Sequence, residues 1–180
     1  MTLIAERPGH GEPRAYRFPA FSHARLGNGL DVIAVHLPGR ELLTAVLFES
    51  IGAGDENDAE AGRTVLMARA MTEGTRSRDA IALVEAAERL GASLHAEAGW
   101  DALSVGVDVP GQRLEPALEL VAEVMSEPSF PEAEVDRLRD ERLNDLLQAR
   151  ADPRRRAEEG FVDTIYAASS PYRRPSGGTR

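Results

Sequence analysis

The chain has 180 residues, no cysteine and a formal net charge of −9 at pH 7. The length suits one domain with its own core, and the absence of cysteine excludes disulfides, thiolate metal ligands and a thiol nucleophile. An acidic balance argues against a general nucleic-acid binder, no apolar run approaches the roughly 20 residues of a membrane helix, and the first residues lack the basic start and apolar core of a secretory signal.

In chain order, residues 1–19 carry prolines, glycines and charges without periodicity and read as a loose arm, with Tyr16 and Phe18 available to pack at its end. Asn28-Gly29 between two apolar segments signals a hairpin, because such turns require positive φ. Leu30, Val32 and Ala34 alternate with Asp31, Ile33 and Val35, so the second strand is expected to be covered on both faces. Residues 42–51, LLTAVLFESI, are apolar enough for a central strand.

A helix is predicted from about Ala59 to Thr72, with Val65, Leu66 and Ala70 on one stripe, Asp58 and Glu60 at its positive end and Gly74 as a stop. Ser77 or Asp79 can cap the next helix, which ends at Gly91 and whose expected inner side is Ile81, Leu83 and Val84. ASLHAEAGWDALSVGVDVP reads as a hairpin turning at Gly99, with Leu103, Val105, Val107 and Val109 in clean alternation. An amphipathic helix follows over about 113–125 (Leu114, Leu118, Val121, and Val124 or Met125). A charged one runs over about 132–150, with Val135, Leu138, Leu143, Leu146 and Leu147 as its stripe. Pro153 fits the first turn of a last helix reaching Tyr166 or Ala167. Strands and helices come in blocks, which implies an α+β fold: one mainly antiparallel sheet, built from both hairpins and strand 42–51, with helices packed on one face.

Several motifs lie in a recognisable order. They are Leu26-x-Asn28-Gly29-Leu30; Glu56 ahead of Gly62; Gly74-Thr75 twelve positions after Gly62; and the segment Pro171-Tyr172-x-Arg174-Pro175 followed by Gly178-Thr179. Together they resemble the N-terminal domain of the insulinase or pitrilysin-like zinc metallopeptidases, from about Phe21 to the last residue. The resemblance implies a domain over residues 20–180, cut short at its C-terminal end, as in a fragment or an early-terminated gene product. That family's signature helix carries the inverted zinc motif His-x-x-Glu-His. Laid on it, Val65 stands for the first histidine, Ala68 for the glutamate and Arg69 for the second histidine. Valine and alanine offer no donor, and arginine is a fixed cation. The family's third ligand, a glutamate on a later helix, falls near Asp145 or, in the alternative alignment, Asn144. Either is equally an ordinary solvated helix residue.

Other candidates are thinner. None of His10, His23, His36 and His95 pairs at helical zinc spacing. In the family, the strand corresponding to ASLHAEA lines the cleft where peptide is bound as an added strand. His95 and Ala96 are therefore candidate peptide-groove residues, against the plainer reading of His95 as an ordinary strand histidine. Trp100 beside the turn reads as a packing or surface aromatic. Ser22, Ser50 and Ser104 have no base near them in sequence, and Gly52-Ala53-Gly54 lacks the Gly-Lys-Ser/Thr ending of a phosphate loop. The arginine run 154–156 reads as a solvated face offset by Glu158 and Glu159. The resemblance thus implies a catalytically inactive homologue without a cofactor, similar to the non-catalytic subunits of heterodimeric peptidases and processing peptidases. Its expected partner is a catalytic insulinase-like subunit, with peptides as further ligands and neither nucleic acid nor membrane, and its expected compartment is the cytoplasm. The alternatives are an enzyme with an unrecognised site and an inactive fragment.

Overall fold

The computed structural model describes residues 11–13 and 15–178. His10, the start of the arm and Thr179 lie outside the described residues. The chain divides into two compact units, one reaching Arg40 and the other starting at Glu41.

In the first unit, β1 (Phe21–Arg25) and β2 (Asp31–Val35) pair antiparallel, from Phe21 opposite Val35 to Arg25 opposite Asp31. Gly29 adopts φ 91°, and the Asn28 side chain accepts the Leu30 N–H at 3.1 Å, as the sequence signal requires. Two expectations are corrected. The hairpin forms a two-stranded sheet of its own, because its ladder closes between β1 and β2 alone. Both strands are exposed throughout: Ile33 and Val35 retain 68% and 52% of their accessible surface. A two-stranded ribbon with apolar residues on both faces cannot bury either by itself.

The second unit is built on an antiparallel sheet of β3 (Leu42–Glu49), β4 (Ser93–Ala98) and β5 (Leu103–Pro110), in the order β3-β5-β4. Here too the expectation is corrected: β3 is an edge strand and β5 the central one. β3 is apolar on both faces, yet only Leu43, Ala45 and Leu47 turn inward, while Leu42 and Phe48 stay 70% and 65% exposed. The alternation read in β5 holds, with Leu103, Val105, Val107 and Val109 buried on one face.

On that face lie α1 (Arg63–Met71), α2 (Ala80–Leu90) and α3 (Leu114–Ser126). The core joins Ala68 and Met71 of α1, Leu83 and Ala87 of α2, and Ala117, Leu120, Val121 and Val124 of α3 to the β5 valines. Each buried Val or Leu contributes roughly 1.5–3 kcal/mol relative to exposure. Leu83 is buried as expected, but Ile81 and Val84 are 71% and 54% exposed, because α2 turns its Leu83–Ala87 side to the sheet. Leu118 likewise points outward on α3. Asp79 caps α2 by accepting the Ala82 N–H at 2.8 Å, and Gly91 closes it at φ 66°. α4 (Glu132–Ala151) buries only Leu138 of its apolar stripe, and Leu143 and Leu147 remain exposed. α5 (Pro153–Ile165) starts on Pro153 with Asp152 as its cap. Among the described residues no helix is long and apolar enough to cross a membrane.

The start of α1 also differs from expectation. Gly62 is left-handed at φ 94°, so the helix begins at Arg63 rather than Ala59, and its first turn holds no acidic residue. Asp58 and Glu60 lie in the turns before it.

Candidate functional site around helix α1

The negative charge at the positive end of α1 comes from further back. Glu56, only 6% exposed, accepts the N–H of Gly62 at 2.7 Å and that of Thr64 at 2.5 Å. These donors are orphaned at any helix start, and a carboxylate there also complements the helix dipole. Burial pushes the Glu56 carboxyl up. The Thr64 N–H and hydroxyl, the Gly62 N–H and the Arg174 charge outweigh it and hold the group below the usual carboxylate range.

The loop that delivers Glu56 is pinned to the β4–β5 turn. Ala53 and Gly54 donate to the carbonyls of Gly99 and Trp100 at 2.9 and 2.8 Å. A side chain at Gly52 would stand 2.2 Å from the Trp100 carbonyl oxygen. The glycines rejected as a phosphate loop therefore permit a close backbone crossing.

The C-terminal segment closes over the same place. Arg174 donates to the carbonyls of Ala53 at 2.9 Å and Glu56 at 2.5 Å, and its Nε is buried without a partner. Next to it the backbone passes directly over Gly62. A Cβ on Gly62 would lie 2.7 Å from the Gly177 oxygen, and one on Gly178, at φ 82°, would lie 2.2 Å from the Ala61 oxygen. Tyr172 donates to Asp101, which holds its hydroxyl above the usual tyrosine pKa, and packs in a tilted arrangement against Trp100 at 5.2 Å between ring centroids. Trp100 thus packs against Tyr172. Arg174 belongs to the C-terminal motif read in the sequence, but its reach to Ala53 and Glu56 shows only in the fold; Arg142 was not singled out, because with every one of the 21 basic residues an arginine it does not stand out.

Three positions of α1 matter for chemistry. Val65 is half-buried, Ala68 is 1% exposed and part of the core, and Arg69 is exposed in the last turn, where a cation suits the negative end of the helix. None supplies a zinc donor. α4 does pack against α1, with Asn144 exposed and Asp145 half-buried on it. Among the described residues no three histidine, aspartate or glutamate side chains are grouped to hold a metal ion. The residues present do not fit a family zinc centre.

β4 is the other edge of the three-stranded sheet, and α1 packs against it. His95 and Ala96 point to opposite faces of this strand. Ala96 packs against the core, whereas the His95 ring lies over Gly106 on the face away from the helices, 2.3 Å from where a Cβ would be. The structure therefore brings Ala96 to the α1 side and keeps His95 off it. His23 and His36 lie in the other unit, His23 on Asp31 at 3.0 Å. Arg154 of the arginine run pairs with Glu158 at 3.1 Å on an exposed face, as read.

Comparison with known proteins agrees with this architecture. A family model described as Insulinase (Peptidase family M16) matches residues 31–175. A protein named as an uncharacterized zinc protease from Mycobacterium leprae is 25% identical over 95% of this chain, and one from Rickettsia bellii is 23% identical over 88%. The chain spans 38% of the length of each. Among solved structures, the peptidase M16 inactive domain from Pseudomonas fluorescens superposes with a TM-score of 0.81 at 24% identity, over 88% of this chain and 39% of that one. Pitrilysin superposes with a TM-score of 0.70 at 22% identity, over 89% of this chain and 17% of its own.

Proposed function

The chain belongs to the insulinase family, peptidase family M16, and we propose that it is a non-catalytic member acting as the partner subunit of a zinc peptidase. Residues 20–180 are its insulinase-like part. The observation that carries this reading is Ala68. At the position set against the family's glutamate, the chain has a methyl group 1% exposed in the hydrophobic core. Val65 and Arg69, set against the two histidines, add no donor. Around them the start of the helix is held in place: Glu56 accepts the Gly62 N–H, Arg174 donates to the Glu56 carbonyl, and Gly178 lies against Gly62. A helix kept in place without its ligands fits a scaffold rather than a reaction centre.

In this role the subunit closes a chamber against a catalytic insulinase-like protein and holds peptide along the outer edge of β4, which pairs with no further strand among the described residues, as an added strand. Both partners would work in the cytoplasm. The name of the Pseudomonas fluorescens domain, an inactive M16 domain, points the same way.

The test first sequences the flanking DNA for an insulinase-like protein with an intact His-x-x-Glu-His, and pairs the chain with the protein found. Size-exclusion chromatography should show a heterodimer. A mixed-peptide assay should show hydrolysis by the pair and none by this chain alone. Hydrolysis by the purified chain, retained in chelator, would favour an enzyme with an unrecognised site. No complex and no flanking partner gene would leave an inactive fragment and overturn the subunit reading.

A further inference from the structure

Between α4, α5 and the C-terminal segment lies a cavity of about 650 Å³. That is the size of a small-ligand site, roughly 300–1,000 Å³. Its apolar lining is Leu146 of α4, Val162 of α5 and the rings of Trp100, Tyr166 and Tyr172. The three rings form a continuous group, with Tyr172 centred 5.2 Å from Trp100 and 5.9 Å from Tyr166. Asp101 takes the Tyr172 hydroxyl, so this end of the cavity offers ring surface.

The arginines on the wall differ in one respect. Arg173 is paired with Asp163 at 2.6 Å, Arg155 with Asp152 at 3.9 Å, and Arg174 is spent on the carbonyls of Ala53 and Glu56. Arg142 makes no ion pair among the described residues. Its Nε donates to the Gly177 oxygen at 2.9 Å, which fixes the plane of the guanidinium, and its terminal N–H groups have no partner among the described residues. Gly177 is what admits it, since a Cβ there would lie 2.2 Å from Arg142 Nη2. A half-buried guanidinium held in one orientation is built for a planar anion. Glu158 and Glu159 also reach this wall, Glu158 already paired with Arg154. Their charges disfavour a phosphate or a polyanion more strongly than a single carboxylate.

We propose that this cavity binds a carboxylate carried on an apolar residue, with Arg142 donating to the carboxylate and the aromatic group with Val162 taking the apolar side chain. The C-terminal residue of a peptide has that chemistry, and so does an acidic side chain beside an apolar one. The proposal goes beyond the subunit reading and does not rest on it.

Trp100 is the single tryptophan of the chain and lines the cavity, so its emission reports occupancy directly. The full chain is titrated with N-acetyl-leucine and with N-acetyl-leucinamide. The acid should give a saturable change, and the amide should bind roughly tenfold more weakly or less, having lost the charge-assisted pair. Arg142→Gln should abolish the difference between acid and amide, and Arg142→Lys should keep part of it. A short peptide ending in leucine with a free C-terminus, set against an amidated peptide carrying an internal aspartate, then tells which source of carboxylate fits; saturation by either supports the site. Equal binding of acid and amide by the unmodified chain, or no saturable change with any probe, overturns the proposal. Both results are read without a variant, so misfolding of Arg142→Gln cannot obscure them, and neither involves a partner subunit.

Discussion

The carboxylate of Glu56 receives the backbone N–H of Thr64 at 2.5 Å, and that contact fixes where α1 begins. Glu56→Ala leaves two N–H groups at a buried helix start without an acceptor. The expected loss is about 2 kcal/mol, the range for a hydrogen-bonded charged group. Urea unfolding of the two proteins measures it, and an unchanged midpoint would show that water replaces the carboxylate at no cost.

The same contact has a pH signature. Folding holds the Glu56 carboxyl below its ordinary value. Its stabilising contribution is therefore complete above the unfolded-chain pKa, about 4.3 for glutamate, and is lost as pH falls through the lower folded value. The stability difference between the native chain and Glu56→Gln should be constant near neutrality and shrink in acid. A difference that grows as pH falls would mean the group is held protonated instead.

Gly178 and Gly62 allow two backbone segments to cross with no room for a methyl group. Gly178→Ala meets the Ala61 oxygen at 2.2 Å from a residue at φ 82°. Steric conflict and left-handed strain together should cost about 2–4 kcal/mol, and the segment carrying Arg174 should detach from the start of α1. Limited tryptic proteolysis after Arg173, compared with the native chain, reads the detachment. Gly160→Ala on exposed α5, where a Cβ meets nothing within 4 Å, is the control that should change neither.

The architecture was largely legible because its signals are local. Alternation in β5, the turn at Asn28-Gly29, Asp79 as a cap and Pro153 at a helix start each follow from a few neighbouring residues. The errors came from surfaces that only tertiary contacts assign. β3 is apolar on both faces, and composition alone cannot say that Leu42 and Phe48 face outward at an edge. Ile81 and Leu83 are equally apolar on α2, and only docking on the sheet chooses Leu83. The site divides in the same way. That Val65 and Ala68 carry no donor and Arg69 a fixed cation follows from side-chain chemistry alone. The links from Glu56 to Thr64 and from Arg174 to Ala53, the latter 121 positions apart, exist only once the chain is folded.

Beyond the end of α1, Thr75, Ser77 and Arg78 all donate to one carboxylate, Glu123 of α3, which ties the loop before α2 to the core. Thr75 is 5% exposed and has little access to water. Glu123→Ala should destabilise by about 2–3 kcal/mol, because it strands a buried hydroxyl and an arginine together, whereas Glu123→Gln should cost less by keeping an acceptor. Thermal unfolding of the pair tests the order, and equal losses would show that the charge rather than the acceptor matters.

Zinc chemistry gives the sharpest test. The unmodified chain should hold no stoichiometric zinc by metal analysis after dialysis. Restoring the whole motif should not simply restore the site. Ala68 is 1% exposed in a packed core, so Ala68→Glu forces a longer side chain and a carboxylate into it. Overpacking costs about 1–3 kcal/mol and the buried carboxylate more. Val65→His and Arg69→His fall on half-buried and exposed positions of one helix face and should be tolerated. The double variant is therefore expected to fold and bind zinc weakly, with Asp145→Glu as the third ligand to add. The triple variant that includes Ala68→Glu should be clearly less stable by urea unfolding. A fully stable triple variant would mean that the core around Ala68 yields to a glutamate. One zinc held tightly by the unmodified chain, and lost on substituting His95 or Asp145, would show a live metal site where the residues of α1 offer none.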